Sequence, residues 1–161
     1  MAPTPRFVDR GAFTVVGIAR PYKPDTLATI PTQWNELQSQ AQRLGGRVGG
    51  DAWGVWFNVL KGGGGTFTYL AGVPVGEFAP MHPDFDRVFV APMHYAVFTH
   101  TGPTKELRQT MDAIMKQWLP SSAYVLQTAV KDAPDFLERY SEEFNDTGEG
   151  PVEIWLPVKK K

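Results

Sequence analysis

The sequence has no cysteine. Disulfides, thiol catalysis and thiolate-held metals are therefore excluded. No apolar run approaches the ~18 residues that a membrane-spanning helix needs, and the opening MAPTPRF lacks the apolar core of a signal peptide. A cytoplasmic protein without membrane contact is the expectation. Neither charge is in surplus: 16 Lys and Arg face 17 Asp and Glu, for a formal net charge of −1. Phosphate backbones are held by clustered Lys and Arg, so nucleic acid has no broad basic field to bind. Lys159, Lys160 and Lys161 read as a solvated tail. Catalytic signatures are missing as well. His94 and His100 would stand about 20 Å apart along one strand and cannot share an ion, and no H-E-x-x-H spacing exists. No serine lies in a G-x-S-x-G elbow, and Ser121-Ser122 read as a helix exit. Gly62 to Gly65 are followed by no Lys-Ser or Lys-Thr and no helix, which leaves a hairpin loop and not a phosphate loop. No metal and no cofactor are expected.

What the chain has is rings. Aromatic residues make up 12% of its 161 residues, with five Trp, and this is more ring area than a core of that size needs. A ring-lined pocket is the natural use for it. FTVVGIARPY (Phe13 to Tyr22) reads as a β-branched strand that stops at Pro21. Ile30, Trp34, Leu37, Ala41 and Leu44 then recur at helical spacing behind Pro31, and Gly45-Gly46 end the run. WGVWFNVL and TFTYLAGVPV follow as strands joined by the glycine run. After a connector at Pro80 to Phe85, Arg87 to Gly102 give one or two strands broken near Pro92. A second helix runs from Pro103 to Pro120, with Leu107, Met111, Ile114, Met115, Trp118 and Leu119 on its stripe. A loop leads to a closing hairpin of DFLERYSEEF and VEIWLPV, turned by NDTGEG. Strand, Pro-led helix with a Trp, strand, Gly-containing turn and strand thus occur twice. The chain is predicted to be one α+β domain, residues 1–161, made of duplicated β-α-β-β units (about 11–80 and 86–160). Such units pack about a pseudo-two-fold axis as an antiparallel sheet with two main helices and a central ligand groove.

The closing hairpin carries the most telling residues. Strand side chains alternate, so Glu138 shares a face with Phe136 and Tyr140, and Glu153 shares one with Trp155. Rings do not solvate a carboxylate, so an acid set between them marks either a wet face or a site. Glu153 reads as a supporting second acid or an exposed strand residue. Trp34 and Trp118 lie on helical stripes, where core packing is the default, but their matched positions also suit the flanks of a groove. Either Trp56 or Phe57 reaches the groove, since they point to opposite faces. Met111 and Met115 fit either adaptable lining or core filling, and Tyr22 ends its strand at a mouth-like position.

The segments HYAVFTHTGP, the helix ending in W-L-P, FLERY and EIWLPV resemble the GyrI-like small-molecule-binding domain, over about Phe13 to Lys159. That family is similar to the effector-binding halves of AraC-type and MerR-type drug-responsive regulators. The resemblance implies a groove for bulky, aromatic, often cationic molecules. It implies that Glu138, in the E-x-Y position, faces the bound cation, and that Trp155 is the ring of the last strand. No residues before Phe13 suffice for a helix-turn-helix, so direct promoter binding is not expected. Three functions follow from the resemblance. The first is a free-standing binding module that senses or sequesters a hydrophobic cation. The second is a hydrolase of cyclopropane-bearing alkylating compounds, in which Glu138 activates water while Tyr140 or Trp155 holds the substrate. The third is a gyrase-binding protein that docks through a sheet edge or through Glu142-Glu143. A monomer or weak dimer is expected.

Overall fold

The computed structural model describes residues 3–57, 66–80, 82–127, 134–142, 144 and 151–161. The glycine loop at 62–65, the turn at 145–150 and Glu143 lie outside the described residues. The chain runs β1 (Arg6–Arg10), β2 (Phe13–Tyr22), α1 (Ile30–Ser39), β3 (Ala52–Phe57), β4 (Phe67–Val75), β5 (Asp86–Val90) and β6 (Met93–His100). It continues through α2 (Leu107–Ala113), β7 (Tyr124–Leu126), β8 (Phe136–Tyr140) and β9 (Val152–Lys160). α2 carries on through a π-helical turn at Ile114–Trp118 and a last α-helical turn at Leu119–Ser121. Pro120 has no N–H to donate into that ladder, and widening the turn is one way a helix takes in a late proline. No helix among the described residues is long and apolar enough to cross a membrane.

The strands form an antiparallel sheet in the order β1-β6-β9-β8-β3-β4-β2-β5, with β7 added to the end of β9. The order is symmetric about the β8–β3 pair, and the registers show how the halves correspond. Pro74 lies opposite Val15 and Pro157 opposite Tyr95; Gly72 lies opposite Trp53 and Trp155 opposite Leu137. Matching these pairs makes Trp53 the counterpart of Leu137, and Gly54 the counterpart of Glu138. Gly54 and Glu138 also face each other directly across β3 and β8. The pseudo-two-fold axis therefore passes between one glycine and one acid.

β1 and β7 escaped the sequence reading, and the break near Pro92 does divide β5 from β6; the pairing of β1 and β5 is long-range. β1 precedes β2 in the chain but pairs with β6 of the other half, and β5 precedes β6 but pairs with β2. Gly11 and Ala12 alone join β1 to β2, a reach of about 11 Å. In a flat sheet those strands would stand about 29 Å apart, six spacings of roughly 4.8 Å. The sheet must therefore curl until its ends meet. It closes around an inner core of Val15, Trp53, Val55, Leu70, Val90, Tyr95, Val97, Leu137 and Trp155. Both helices cover the outer face. α1 packs on Tyr22, Phe67, Tyr69 and Ala71 through Leu37, and the π turn packs on Ala96, Phe98, Ile154 and Leu156 through Ile114. Three boundaries differ from expectation. α1 ends at Ser39 and gives way to a 3-10 turn at Ala41–Arg43 before Leu44. β8 ends at Tyr140 and does not continue through SEEF. Lys159 and Lys160 belong to β9, where they pair with Val125 and Tyr124 of β7, so they do not form a loose tail.

Candidate functional site

The outer face near the pseudo-axis holds a buried acid in a cage of rings. On β8, Phe136, Glu138 and Tyr140 point to the helix-covered side, because Phe136 joins the cluster around Ile114 and Tyr140 meets Trp34 of α1. Glu138 is buried. Its Oε1 accepts hydrogen bonds from the Tyr140 hydroxyl at 3.0 Å and the Tyr69 hydroxyl at 3.2 Å. The Tyr69 oxygen in turn accepts the Trp34 indole N–H at 2.9 Å. Trp56 completes the wall, 4.6 Å from the Tyr69 ring and stacked on Phe136 at 5.3 Å. The Trp56 N–H leans toward the same carboxyl and favours its anion, yet it is buried without reaching a hydrogen-bond partner.

Gly54 makes this arrangement fit. A Cβ there would lie 2.3 Å from the Tyr69 hydroxyl oxygen, so the bare strand lets the β4 phenol cross β3 to reach β8. Burial pushes the Glu138 carboxyl above its ordinary pKa, opposed by the Tyr140, Tyr69 and Trp56 donors. Burial and the adjacent carboxylate likewise push both phenols well up, so they stay protonated and donate. Among the described residues no Lys, Arg or His pairs with Glu138. A cavity of about 400 Å³ opens beside Trp34, bounded by Leu37, Arg47, Ala52 and Glu142. Ala52 lies opposite Tyr140, so Trp34 and Tyr140 stand between this cavity and Glu138. The Glu142 side chain leans over Gly50 at its rim.

Trp34, Trp56 and Tyr140 thus gather around Glu138, and the choice between Trp56 and Phe57 falls to Trp56. Phe57, Glu153 and Trp155 are not brought together with them. Glu138 is paired with Ile154, which turns Trp155 to the inner face against Trp53 at 5.2 Å and Tyr95 at 5.2 Å. Phe57 packs on that same inner core. Glu153 is ion-paired to Arg6 at 2.8 Å and Arg139 at 3.3 Å. Trp118 and Met115 pack in the far cluster, Trp118 edge-on to Phe98 at 5.0 Å. Tyr22 is buried, and its hydroxyl bonds Gln33, whose amide holds the Ile18 and Tyr69 carbonyls; this is a brace for α1 and not a mouth. Tyr69 went unrecognised as a wall residue, and Gly54 as the space it needs. A glycine inside WGVWF was the available signal. No group of His, Asp or Glu among the described residues is arranged to hold a metal.

Comparison with known proteins agrees with this architecture. The transcriptional regulator BrlR of Pseudomonas aeruginosa is 27% identical over 160 residues, covering 95% of this chain and 54% of the regulator, so the chain spans about half the length of that relative. The structure of SAV2435 bound to tetraphenylphosphonium has the same fold, with a TM-score of 0.69 and 23% identity over 96% of this chain and 93% of that one. A protein from Staphylococcus aureus MU50 matches with a TM-score of 0.67 and 22% identity, over 98% of this chain and 99% of that one. The pattern of the GyrI-like small molecule binding domain matches residues 3–159, and the chain belongs to that family.

Proposed function

We propose that this domain binds bulky, aromatic, hydrophobic cations on its helix-covered face, with Glu138 as their counter-ion. The observation that carries this reading is a buried carboxyl that accepts hydrogen bonds from two phenols, has no cationic partner among the described residues and is walled by Trp34, Trp56 and Phe136. A buried charge without a partner is costly. An arriving cation supplies the partner and restores the ionised form. Each well-placed ring face adds about 0.5–2 kcal/mol, and apolar burial adds roughly 25 cal/mol per Å² without demanding one ligand shape. Glu138 does not line the cavity beside Trp34, so seating a cation against it from there requires Trp34 or Tyr140 to turn aside. The tetraphenylphosphonium bound by SAV2435 is a ligand of the proposed chemistry, which supports the reading.

Titration of tryptophan fluorescence with tetraphenylphosphonium tests it. Glu138→Gln is expected to weaken binding about 30-fold, roughly 2 kcal/mol for a lost charge-assisted contact. Equal affinity in the variant removes the charge role. Because the cation favours ionised Glu138, affinity in the parent should climb as pH rises through the raised pKa of this group. A carboxyl with that raised pKa also suits a general base. Faster consumption of a strained cyclopropane electrophile by the parent than by Glu138→Ala would move the assignment to hydrolysis.

A further inference from the structure

The far half of the molecule carries a second cavity, of about 440 Å³, with chemistry opposite to the first. It lies over the end of β9, where β7 pairs Leu126 with Val158 and Tyr124 with Lys160. Val158 and Met93, both buried, give it an apolar floor. His94 and Tyr124 give it a ring wall; their planes are 20° from parallel with centroids 6.1 Å apart. The wall is built in depth. Phe7 stacks on His94 at 5.6 Å and on Tyr124 at 4.8 Å, and Trp118 lies near-parallel to Tyr124 at 6.2 Å. Asp9 holds His94 Nδ1 at 2.7 Å and so fixes the orientation of that ring.

The rim is cationic. Lys159 and Lys160 are exposed and form no ion pair among the described residues, and none of the residues lining the cavity is acidic. Their backbones are held in the β9 ladder at the edge of the cavity, with Lys160 on the strand face of Val158 and Lys159 on the opposite one. A hydrophobic cation would be repelled there, whereas a flat ring with an anionic group gains stacking on the wall and attraction to the cationic rim. We propose that this cavity is a separate binding site for a planar aromatic anion, stacked on the His94–Tyr124 wall in the positive field of Lys159 and Lys160.

The test uses 1-anilinonaphthalene-8-sulfonate on the whole chain, with uncharged N-phenyl-1-naphthylamine beside it. The sulfonate is expected to bind at least tenfold more tightly than the neutral analogue. That advantage should be lost in Lys159→Glu/Lys160→Glu and shrink in high salt. Ring resonances of His94 should move on addition of the sulfonate and stay in place on addition of tetraphenylphosphonium. Glu138→Gln should leave sulfonate binding unchanged, which separates this site from the first. Unaltered sulfonate affinity in the double lysine variant, or loss of sulfonate binding in Glu138→Gln, would overturn the proposal.

Discussion

Glu138 and Glu153 sit on neighbouring strands, one residue out of step, and the fold treats them in opposite ways. Glu153 lies opposite Arg139 and receives Arg6 as well, with the Trp155 N–H at 3.2 Å. Burial pushes its carboxyl up, but the bonds from Arg6 and Trp155 and the charges of Arg6 and Arg139 outweigh this and hold its pKa low. Glu138 lies opposite Ile154 and, among the described residues, receives only neutral donors, so burial wins and its pKa rises. Both acids stand beside tryptophans. What sets Glu138 apart is the missing counter-charge, and an acid whose charge is already met offers a cation little.

The comparison can be broken most severely at Gly54. Gly54→Ala drives a methyl into the Tyr69 phenol, which is fully buried and has no room to swing away. A loss of about 2–3 kcal/mol is expected in urea unfolding, as for an overpacked core, together with weaker cation binding. The pH dependence of stability then separates the two acids. The folded pKa of Glu138 is raised, so its neutral form is the one the fold favours, and ionisation costs stability as pH climbs through that value. Glu138→Gln should match the parent near pH 4 and exceed it by about 1–2 kcal/mol near pH 8, since it removes a buried unpaired charge. Glu153 has the reverse sign. Its folded pKa is lowered, so its contribution is present above its unfolded pKa and fades as pH falls through the folded value. Glu153→Gln should cost about 0.5–1 kcal/mol near pH 7, the range for partly exposed pairs, and nothing in strong acid. The same sign for both variants would refute the contrast. The smallest effect is expected from Trp34→Phe, about 0.5 kcal/mol, the low end for a neutral hydrogen bond such as that to Tyr69, read by urea unfolding at neutral pH.

Much of this was legible in the chain. Alternation along FLERY puts Phe136, Glu138 and Tyr140 on one face, and they share it. The stripe that holds Trp34 does face the sheet. Alternation within a strand does not say which face the helices cover, however, or how neighbouring strands are offset. That is why Trp155 was drawn into the site: its relation to Glu138 depends on the register that pairs Glu138 with Ile154. Tyr69 was missed for a related reason, since it reaches the acid across an intervening strand through a gap that only Gly54 leaves. β1 was illegible because RFVDR has the charged, half-exposed look of an edge and finds its partner in the other half.

The exchange of β1 and β5 between halves has a consequence for how the molecule is held together. Each half lends its leading strand to the other, so separating them would strip a full ladder of hydrogen bonds from both at once. The two halves clasp each other as swapped subunits do, and an ancestral single unit could have formed the same object by pairing with its own copy.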